Sequence, residues 1–494
     1  MLKRVRIALT ALLLLAAVGV NAQVTTASMA GKVTDASNEP IIGATVQAVH
    51  QPSGSRYGTV TNVDGRYSIQ GMRTGGPYRV EISYIGYQTV IYKDITLQLG
   101  EVYNLNVEMS ESSELLNEVI VTAAKTKFTA EKTGATTNIS SAQITQLPTV
   151  NRSISDIARL SPYANGMSFA GGDGRSTNFT IDGANFNNNF GLSSNLPGGG
   201  NPISMDAIEE VQVVVAPFDV RQTNFIGGGI NAITKSGTNT FRGTAYTYYR
   251  NQDMRGNRIN GEDLGARSDE SKTTYGFTLG GPIIKNKLFF FVNYEKEKTP
   301  GEVIKYRARE DGEEAKGMVS RTLKSDMEKV YNHLKDKYGY DAGSYTSFPA
   351  DEENTKILAR IDWNITDRHR LSLRYNNTKN TAWNAPNGNS SDTGYRLNNT
   401  YRVGTQSMAF ANSMYSMDNK VQSWATDLNS RFTDKISNQL LFTYTNIEDM
   451  RGTNSSPFPF IDIMAGKDEN GNQILEPYMS AGYELFTYNN GVKN

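Results

Sequence analysis

The clearest structural pattern in the chain is the stretch TKILARIDWNITDRHRLSLRYN, which runs from Thr355 to Asn376. Apolar and polar residues alternate up to Trp363 and again from His369 onward, as in strands whose two faces meet different surroundings. The residues between these two runs, Asn364–Arg368, form a short turn. The stretch therefore predicts a hairpin with one apolar face and one polar face.

The same pattern recurs on both sides of this hairpin, in Tyr275–Leu279 and in Leu440–Tyr444. The connections between the predicted strands are alternately long and short. Short turns at one end and long loops at the other are typical of a transmembrane β-barrel, with lipid outside and a polar lumen inside. A soluble antiparallel sheet also alternates, but it does not explain this loop asymmetry. Seven strands are predicted: Thr240–Arg250, Lys272–Gly281, Lys287–Lys296, Thr355–Trp363, His369–Asn376, Asn419–Phe432 and Asn438–Ile447.

One long loop carries a helical pattern. Apolar residues recur at helical spacing within Met318–Tyr338, and Gly339 follows as a stop signal. We expect this helix to lie on a small core of the loop itself. His333 falls on its polar side, and nothing marks it as a ligand.

The first residues carry the features of a secretory signal peptide. Basic residues precede the apolar run Ile7–Val20, and a small-residue cleavage site ends at Ala22. The run is too short and too early to predict a membrane-spanning helix. We therefore expect residues 1–22 to be removed and the mature chain to begin at Gln23.

Composition excludes some functions and leaves others open. Without the signal peptide, 47 basic residues stand against 50 acidic residues, a net charge of about −3, which argues against a general nucleic-acid binder. The chain has no cysteine, so we expect no disulfide, no zinc–thiolate site and no thiol nucleophile. Tyrosine outnumbers phenylalanine, 26 to 19, as in barrels whose aromatic residues sit at the membrane interface. An ordinary secreted β protein has a similar composition.

Two globular units precede the predicted barrel. Residues 28–109 show short strands separated by turn residues such as Asp64-Gly65, which predicts a small β-sandwich. Residues 128–238 mix helix and strand signals. Ser141 is the expected N-cap of a first helix, Ser153–Leu160 a second helix and Met205–Glu209 a third. A glycine run at Gly227 suggests close backbone approach, as of plug backbone against a wall.

The linker between these units, residues 110–127, contains the β-prone run Asn117-Glu-Val-Ile-Val-Thr122. A short strand in a polar linker has unpaired N–H and C=O groups, which suit it to add onto the edge of a partner's sheet. The alternative is a connecting strand that pairs within its own chain. These residues alone leave both interpretations open.

Two stretches of the second unit are rich in asparagine or in glycine, proline and serine. Asn185–Asn189 and Ser194–Asn201 are predicted to be long exposed loops. Asparagine offers donors and acceptors without charge, which suits neutral polar ligands, whereas a solvated loop tip is the alternative. The candidate ligand-contacting residues are Asn185, Asn187, Asn188, Asn189, Phe190 and Asn195.

Several motifs together resemble one family. The first unit contains GKVTD (31–35), PIIGATV (40–46) and TNVDGRYS (61–68); the second contains FTIDG (179–183), IEEVQV (208–213) and GGINAITKSG (228–237). FRG (241–243), GGPI (280–283) and LFFFVNYE (288–295) open the predicted barrel. The whole chain resembles the TonB-dependent outer-membrane receptors, specifically the Oar-like (OmpA-related) Bacteroidetes type with an N-terminal carboxypeptidase-regulatory-like domain. The plug motif of the SusC-like glycan importers differs, so a glycan substrate is not implied.

The resemblance implies a fold and a mechanism. The fold is mainly β: an N-terminal β-sandwich, a small α+β plug domain at 128–238 and an antiparallel transmembrane β-barrel from residue 239. The TonB box, whose strand pairs with periplasmic TonB, maps onto Glu118, Val119, Ile120, Val121, Thr122 and Ala123. TonB, with its inner-membrane energising complex, would use proton motive force to remodel the plug. The expected partners are TonB, outer-membrane lipid and an extracellular ligand, and the expected location is the cell outer membrane.

The resulting hypothesis is ligand-gated uptake across the outer membrane. A surface adhesion or assembly protein that uses the barrel as an anchor is the alternative. An enzyme is not expected, because the sequence shows no Ser/His/acid set and no metal-ligand spacing. Asp173, Asp182 and Asp206 are interpreted as turn formers rather than a calcium site, and no cofactor is expected. The substrate stays open among peptide, siderophore, cobalamin-like compound, glycan and protein.

Size predicts that this chain holds only part of its barrel. A globular unit of about 110 residues is about 34 Å across. A barrel of about eight strands is filled by its own side chains, whereas plugged transporters use about 22 strands. Because only seven strands are predicted, we expect the residues from 239 to 494 to form the N-terminal part of a larger barrel.

Overall fold

The structure is a computed structural model. It describes residues 24–494 except 112–118, 123–134, 148, 150, 188–195, 216–221, 223–225, 255, 257, 264–269, 387–401, 434–435, 468–469, 473, 475–476, 485–491 and 494. The predicted signal peptide lies outside the described residues. In the part of the chain that is described, no helix is both long and apolar enough to cross a bilayer.

The N-terminal unit is a sandwich of two sheets. In the first sheet the order is β4-β1-β7, with β8 also on β1; in the second it is β3-β2-β5-β6-β9. Alternate residues of strands such as β2 and β5 are buried in a shared core, which includes Val46, Tyr78 and Ile82. The period-two pattern of the sequence thus accounts for the two-layer arrangement. The strands are β1 Ala27–Asp35, β2 Thr45–His50, β3 Ser55–Val60, β4 Arg66–Met72, β5 Gly75–Ser83, β6 Val90–Leu97, β7 Val102–Asn104, β8 Val107–Met109 and β9 Val119–Thr122.

The second unit is built on a five-stranded sheet with the order β10-β15-β16-β13-β14. Its core includes Ile154, Phe179 and Val211. A separate two-stranded ribbon, β11-β12, belongs to the same unit. The elements are β10 Ala135–Ser140, α1 Ser141–Gln146, α2 Ile154–Ala158, β11 Ala164–Asn165, β12 Ser168–Phe169, β13 Asn178–Ile181, β14 Ala184–Asn185, β15 Ile208–Val215 and β16 Gly228–Thr234.

Two helix predictions in this unit need correction. The N-cap of α1 is Ser140, whose backbone N–H bonds the Gln143 side chain, and not Ser141. The predicted helix Met205–Glu209 is only a 3-10 turn, Met205–Ala207, because strand β15 already begins at Ile208. Pairing of β15 with both β10 and β16 overrides the local helix tendency there.

The third unit is an eight-stranded antiparallel sheet, here called the wall, with the order β17-β20-β21-β24-β25-β27-β28-β31. Its long strands are neighbours in sequence order, as in up-and-down barrels. Among the described residues, β17 and β31 pair with no further strand of the wall. The strands are β17 Arg242–Asn251, β20 Ser271–Ile284, β21 Leu288–Thr299, β24 Glu352–Asn364, β25 His369–Asn384, β27 Tyr415–Arg431, β28 Ser437–Gly452 and β31 Val492–Lys493.

The seven long wall strands have 10 to 17 residues, enough to cross the hydrocarbon layer, which takes about 9–11 tilted residues. Their apolar side chains are exposed on one face; Phe277 is 47% and Phe442 63% exposed. In the central strands the residues between them are polar and buried, for example Thr278 and Asp362, whereas strand β17, at one edge of the wall, has no buried residue. The two-faced alternation predicted from the sequence is confirmed.

The long loops, at the end of the wall opposite to the short turns, fold onto each other. Their core includes Met327, Leu334 and Phe410. Helix α3, Lys324–Tyr338, ends at Gly339, whose left-handed conformation (φ 64°) forms the C-cap. The predicted helix start at Met318 is wrong, because Val319–Leu323 pairs as a strand instead. The loop strands are β18 Arg258–Ile259, β19 Glu262–Asp263, β22 Arg307–Arg309, β23 Val319–Leu323, β26 Met408–Ala409, β29 Ile461–Ile463 and β30 Met479–Ala481.

One titratable side chain lies deep in the sandwich. His50 Nδ1 is 2.7 Å from Ser53 Oγ. Burial and the nearby Arg73 cation lower the pKa of His50 to about 3. The unfolded chain takes up a proton below about pH 6.5, whereas the folded chain keeps His50 neutral. The contribution of neutral His50 to the free energy of unfolding is therefore fully present above pH 6.5. It is lost as the pH falls from 6.5 towards 3.

We predict that His50→Gln, which keeps a hydrogen-bonding group near Ser53, reduces this acid sensitivity. Between pH 8 and pH 5 the wild-type chain should lose about 2 kcal/mol more than the variant, from a shift of about 1.5 pH units at 1.36 kcal/mol each. Urea unfolding of both full chains in detergent at the two pH values measures this difference. Equal losses in the two proteins would show that His50 is not held neutral.

Candidate functional site: the plug against the wall

The second unit covers the polar face of the wall, and we call it the plug. The carbonyl oxygen of Gly198 in the plug accepts a hydrogen bond from Asn354 Nδ2 at 3.0 Å. The carbonyl oxygen of Pro202 accepts from Thr378 Oγ1 at 2.8 Å. The side chains of Asn354 and Thr378 point inward from β24 and β25 and are buried. Backbone of the plug thus satisfies polar side chains of the wall.

A cluster of charges joins the plug to the wall near the short-turn end. Arg360 on β24 donates to the carbonyl oxygen of Thr234 at 2.8 Å and makes two bonds, of 3.0 and 2.9 Å, to Asp362. Asp182 of the plug lies 3.5 Å from both Arg360 and Arg374. Asp182 also accepts from the Thr234 N–H and hydroxyl. One plug carboxylate therefore stands between two arginines of the wall.

A second buried pair lies farther along the wall. Lys356 Nζ is 2.8 Å from Glu295 Oε1, and the side chains are only 2% and 5% exposed. The other oxygen of Glu295 accepts from Ser204 Oγ of the plug and from Tyr246 OH of the wall, both at 2.9 Å. Arg152 of the plug stacks 4.0 Å from the ring of Tyr248.

Apolar contacts complete the interface. Four apolar residues of the wall belong to the same buried cluster as the plug core: Phe291, Leu358, Val421 and Ile447. They interrupt the polar inner face where the plug packs. A cavity of about 430 Å³ remains at the junction of sandwich, plug and wall. Its lining includes Arg73, Asp182, Arg360 and Asp427.

One contact between the sandwich and the plug is made by the backbone of Leu99, in the segment that follows β6. The N–H of Leu99 lies 3.0 and 3.1 Å from the two carboxylate oxygens of Glu210. The carbonyl oxygen of Leu99 accepts from Gln212 Nε2 at 2.6 Å and from Asn138 Nδ2 at 3.1 Å. We call Asn138, Glu210 and Gln212 the Leu99 socket. Burial raises the pKa of Glu210 to about 7. The hydrogen bond from the Leu99 N–H favours the carboxylate form and opposes this rise.

The box strand, β9 Val119–Thr122, pairs within its own chain. It lies parallel to β6, with Val90 opposite Val119 and Lys93 opposite Thr122. For these residues the structure thus shows a connecting strand that pairs within its own chain. Glu118 and Ala123, the other two residues of the predicted box, lie outside the described residues.

The predicted ligand loops are held more tightly than expected. The Asn187 side chain accepts from the Phe179 N–H at 2.6 Å and donates to Asn178 Oδ1 at 2.9 Å. Asn185 accepts from the Asn187 N–H at 2.7 Å. Leu196 is buried, so the exposed-loop prediction is wrong there. Asn188, Asn189, Phe190 and Asn195 lie outside the described residues.

Sequence reasoning missed the plug–wall charges. Asp182 does form a turn, with φ 46°, but its contacts with the two arginines were not predicted. The available signal was a charged residue, such as Arg360 or Arg374, on the inward face of a barrel strand. Such a residue needs a partner inside the lumen. No group of three or more potential metal-ligating acidic, histidine or cysteine side chains is found among the described residues.

Comparisons with known proteins agree with this architecture. Residues 28–110 match the carboxypeptidase regulatory-like domain, and residues 233–304 match an outer membrane beta barrel domain. The chain is 25% identical over 376 residues to the TonB-dependent transporter Oar of Myxococcus xanthus, covering 70% of this chain and 33% of that protein. The chain is a relative of the TonB-dependent outer-membrane receptors.

This relative of the receptors is an outer-membrane protein of mainly β structure. It spans about a third of the length of the curated transporter that it matches. The solved structures that the chain matches include the outer membrane transporter YddB from Escherichia coli, at 16% identity and TM-score 0.47, covering 71% of this chain and 43% of that one. Another is the siderophore receptor PirA from Pseudomonas aeruginosa, at 15% identity and TM-score 0.40, covering 65% and 42%.

We predict that Lys356→Met destabilises the chain strongly, because it leaves the Glu295 carboxylate buried without its cation. Breaking a buried pair in this way costs about 3–5 kcal/mol. The matched variant Lys298→Met removes an exposed pair with Asp351, the residue just before β24, and should cost about 1 kcal/mol or less. Thermal unfolding of the two variants in detergent compares them. Similar shifts in both would contradict a buried, plug-anchoring pair.

Proposed function

We propose that the protein takes part in ligand-gated active uptake across the outer membrane, driven by proton motive force through TonB. The observation that carries this proposal is a separate plug sheet seated on the inner face of a lipid-facing wall. A plug held by hydrogen bonds and ion pairs can be displaced without breaking a covalent bond. The related transporter from Myxococcus xanthus supports the proposal.

The proposed contact for TonB is the segment Glu118–Ala123. Strand β9 within it is the last strand in the order of the second sandwich sheet, and among the described residues only β6 pairs with it. An edge strand accepts an extended segment of another protein through main-chain hydrogen bonds. The inner-membrane energising complex would act through TonB.

The proposed ligand route runs from the long loops to the plug. Asn185, Asn187, Asn188, Asn189, Phe190 and Asn195 are the candidate contacts on the plug. Because the amides of Asn185 and Asn187 hold the plug loop together, they would act by shaping the loop. A neutral polar ligand fits the amide-rich composition of this segment. No chemistry of the protein's own is required, and the related proteins are transporters and receptors.

The alternative function is surface adhesion or assembly, with the wall as an anchor. One observation favours it. The long loops form a compact unit with its own core, in which Tyr340 stacks on Phe458 with ring centroids 4.0 Å apart. A rigid unit of this kind can present a binding surface to a partner without any transport.

We predict that Val119→Pro separates the two functions. Proline removes a main-chain donor and breaks strand pairing, so binding of the purified periplasmic domain of TonB should fall at least about tenfold, or 1.4 kcal/mol. Uptake by the receptor that carries the variant should fall with it. The matched variant Leu115→Pro, outside the box, should bind as wild type does. If the wild type supports adhesion but does not bind TonB, the result would favour the alternative function.

A further inference from the structure

The box strand, β9, has two edges, and they differ. On one side its backbone pairs with β6, in the register Val90 to Val119 through Lys93 to Thr122. On the other side no strand pairs with it among the described residues. A partner strand can therefore add to β9 while β9 stays on the sandwich.

Strand β6 leads directly from the box strand to the plug. It ends at Leu97, and Leu99 follows with its N–H and carbonyl group bound by the Leu99 socket of the plug. The side chain of Leu99 is fully buried between Val24, which precedes the first sandwich strand, and Ile233 of the plug. The carbonyl oxygen of Val24 also accepts from Asn231 Nδ2 at 2.5 Å. This contact combines polar and apolar anchoring in one place.

The sandwich is also seated on the short-turn end of the wall. The Asn239 N–H donates to the carbonyl oxygen of Pro52 at 2.8 Å. Ser55 Oγ accepts from Asn364 Nδ2 at 3.0 Å. Arg370 stacks 3.8 Å from the Tyr57 ring. These contacts orient the sandwich relative to the plug, so its position is set by more than the linker.

We propose that the sandwich is the coupling element between the box and the plug. An extended segment of the energising partner adds to the free edge of β9, β9 remains on β6, and the pull reaches plug strands β10 and β15 through Leu99. This inference rests on the proposed function. Residues 123–134 connect the box to the plug covalently, and the Leu99 contact gives a second, noncovalent route between them.

A disulfide tests whether the box stays on the sandwich. Lys93 and Thr122 are register partners on adjacent strands, which lie about 4.8 Å apart, within the range that a disulfide spans. The chain has no cysteine of its own. Lys93→Cys with Thr122→Cys therefore forms a single cross-link that holds β9 on β6, and each single variant is the control.

We predict that the oxidised double variant binds the purified periplasmic domain of TonB within about threefold of the reduced form, a difference below 1 kcal/mol. A loss of about tenfold or more on oxidation, restored by reduction, would overturn the proposal, because it would mean that the box must leave β6. Absence of binding by the wild type and by both redox forms would overturn the proposed function itself, and with it this inference.

The Leu99 socket is tested by force. Glu210→Ala with Asn138→Ala removes two of its three groups, and Glu108→Gln, on strand β8, is the control. When the wild-type protein is pulled through the bound TonB domain in a single-molecule experiment, the force–extension trace should show release of the plug with no smaller extension before it. The socket variant should show an added low-force extension as the sandwich separates, with unchanged TonB binding. Glu210→Gln should restore the wild-type trace if the socket acts by hydrogen bonding. Identical traces for wild type and socket variant would overturn the proposed path.

Discussion

Every backbone group inside a lipid layer must find a partner within the protein, and this constraint shapes the whole structure. It forces the membrane portion into hydrogen-bonded strands. Strand geometry then sends alternate side chains to opposite faces. The outer face becomes apolar, with Phe277 and Phe442 exposed, and the inner face carries Asp362, Arg374 and Lys356. Those inner charges need a partner other than lipid.

The plug supplies a partner for Arg374 through Asp182, whereas Asp362 and Lys356 pair with Arg360 and Glu295 of the wall itself. The contacts that Asp182 and Ser204 make with the wall fix where the plug sits. Buried ion pairs are weak contributors to stability but are costly to break on one side only. If the plug were shifted along the wall, Asp182 would lose Arg360 and Arg374, and Ser204 would lose Glu295. The same logic makes displacement possible: water that enters the cavity beside Asp182 and Arg360 can solvate these groups as they separate.

The sequence predicts the local features of this fold well. All seven long wall strands, the short turns and the Gly339 helix stop follow from period-two or period-3.6 patterns and from turn residues. Interactions between distant segments were not predictable in this way. Asn354 and Gly198 are 156 residues apart, so nothing local indicated that the loop before Pro202 is buried. The β23 strand pairs with β22, which no local helical pattern at Met318 could anticipate.

The direction of the box strand follows from the same geometry. Because β9 is parallel to β6, it runs in the direction in which β6 leads to Leu99 and its contact with the plug. The plug begins at Ala135, which pairs with Val215 on β15, the strand that also carries Glu210 and Gln212 of the socket. Antiparallel pairing would send the chain away from this strand. The parallel arrangement gives the box and the sandwich edge one direction, which is the geometry that the proposed path through β6 and Leu99 requires.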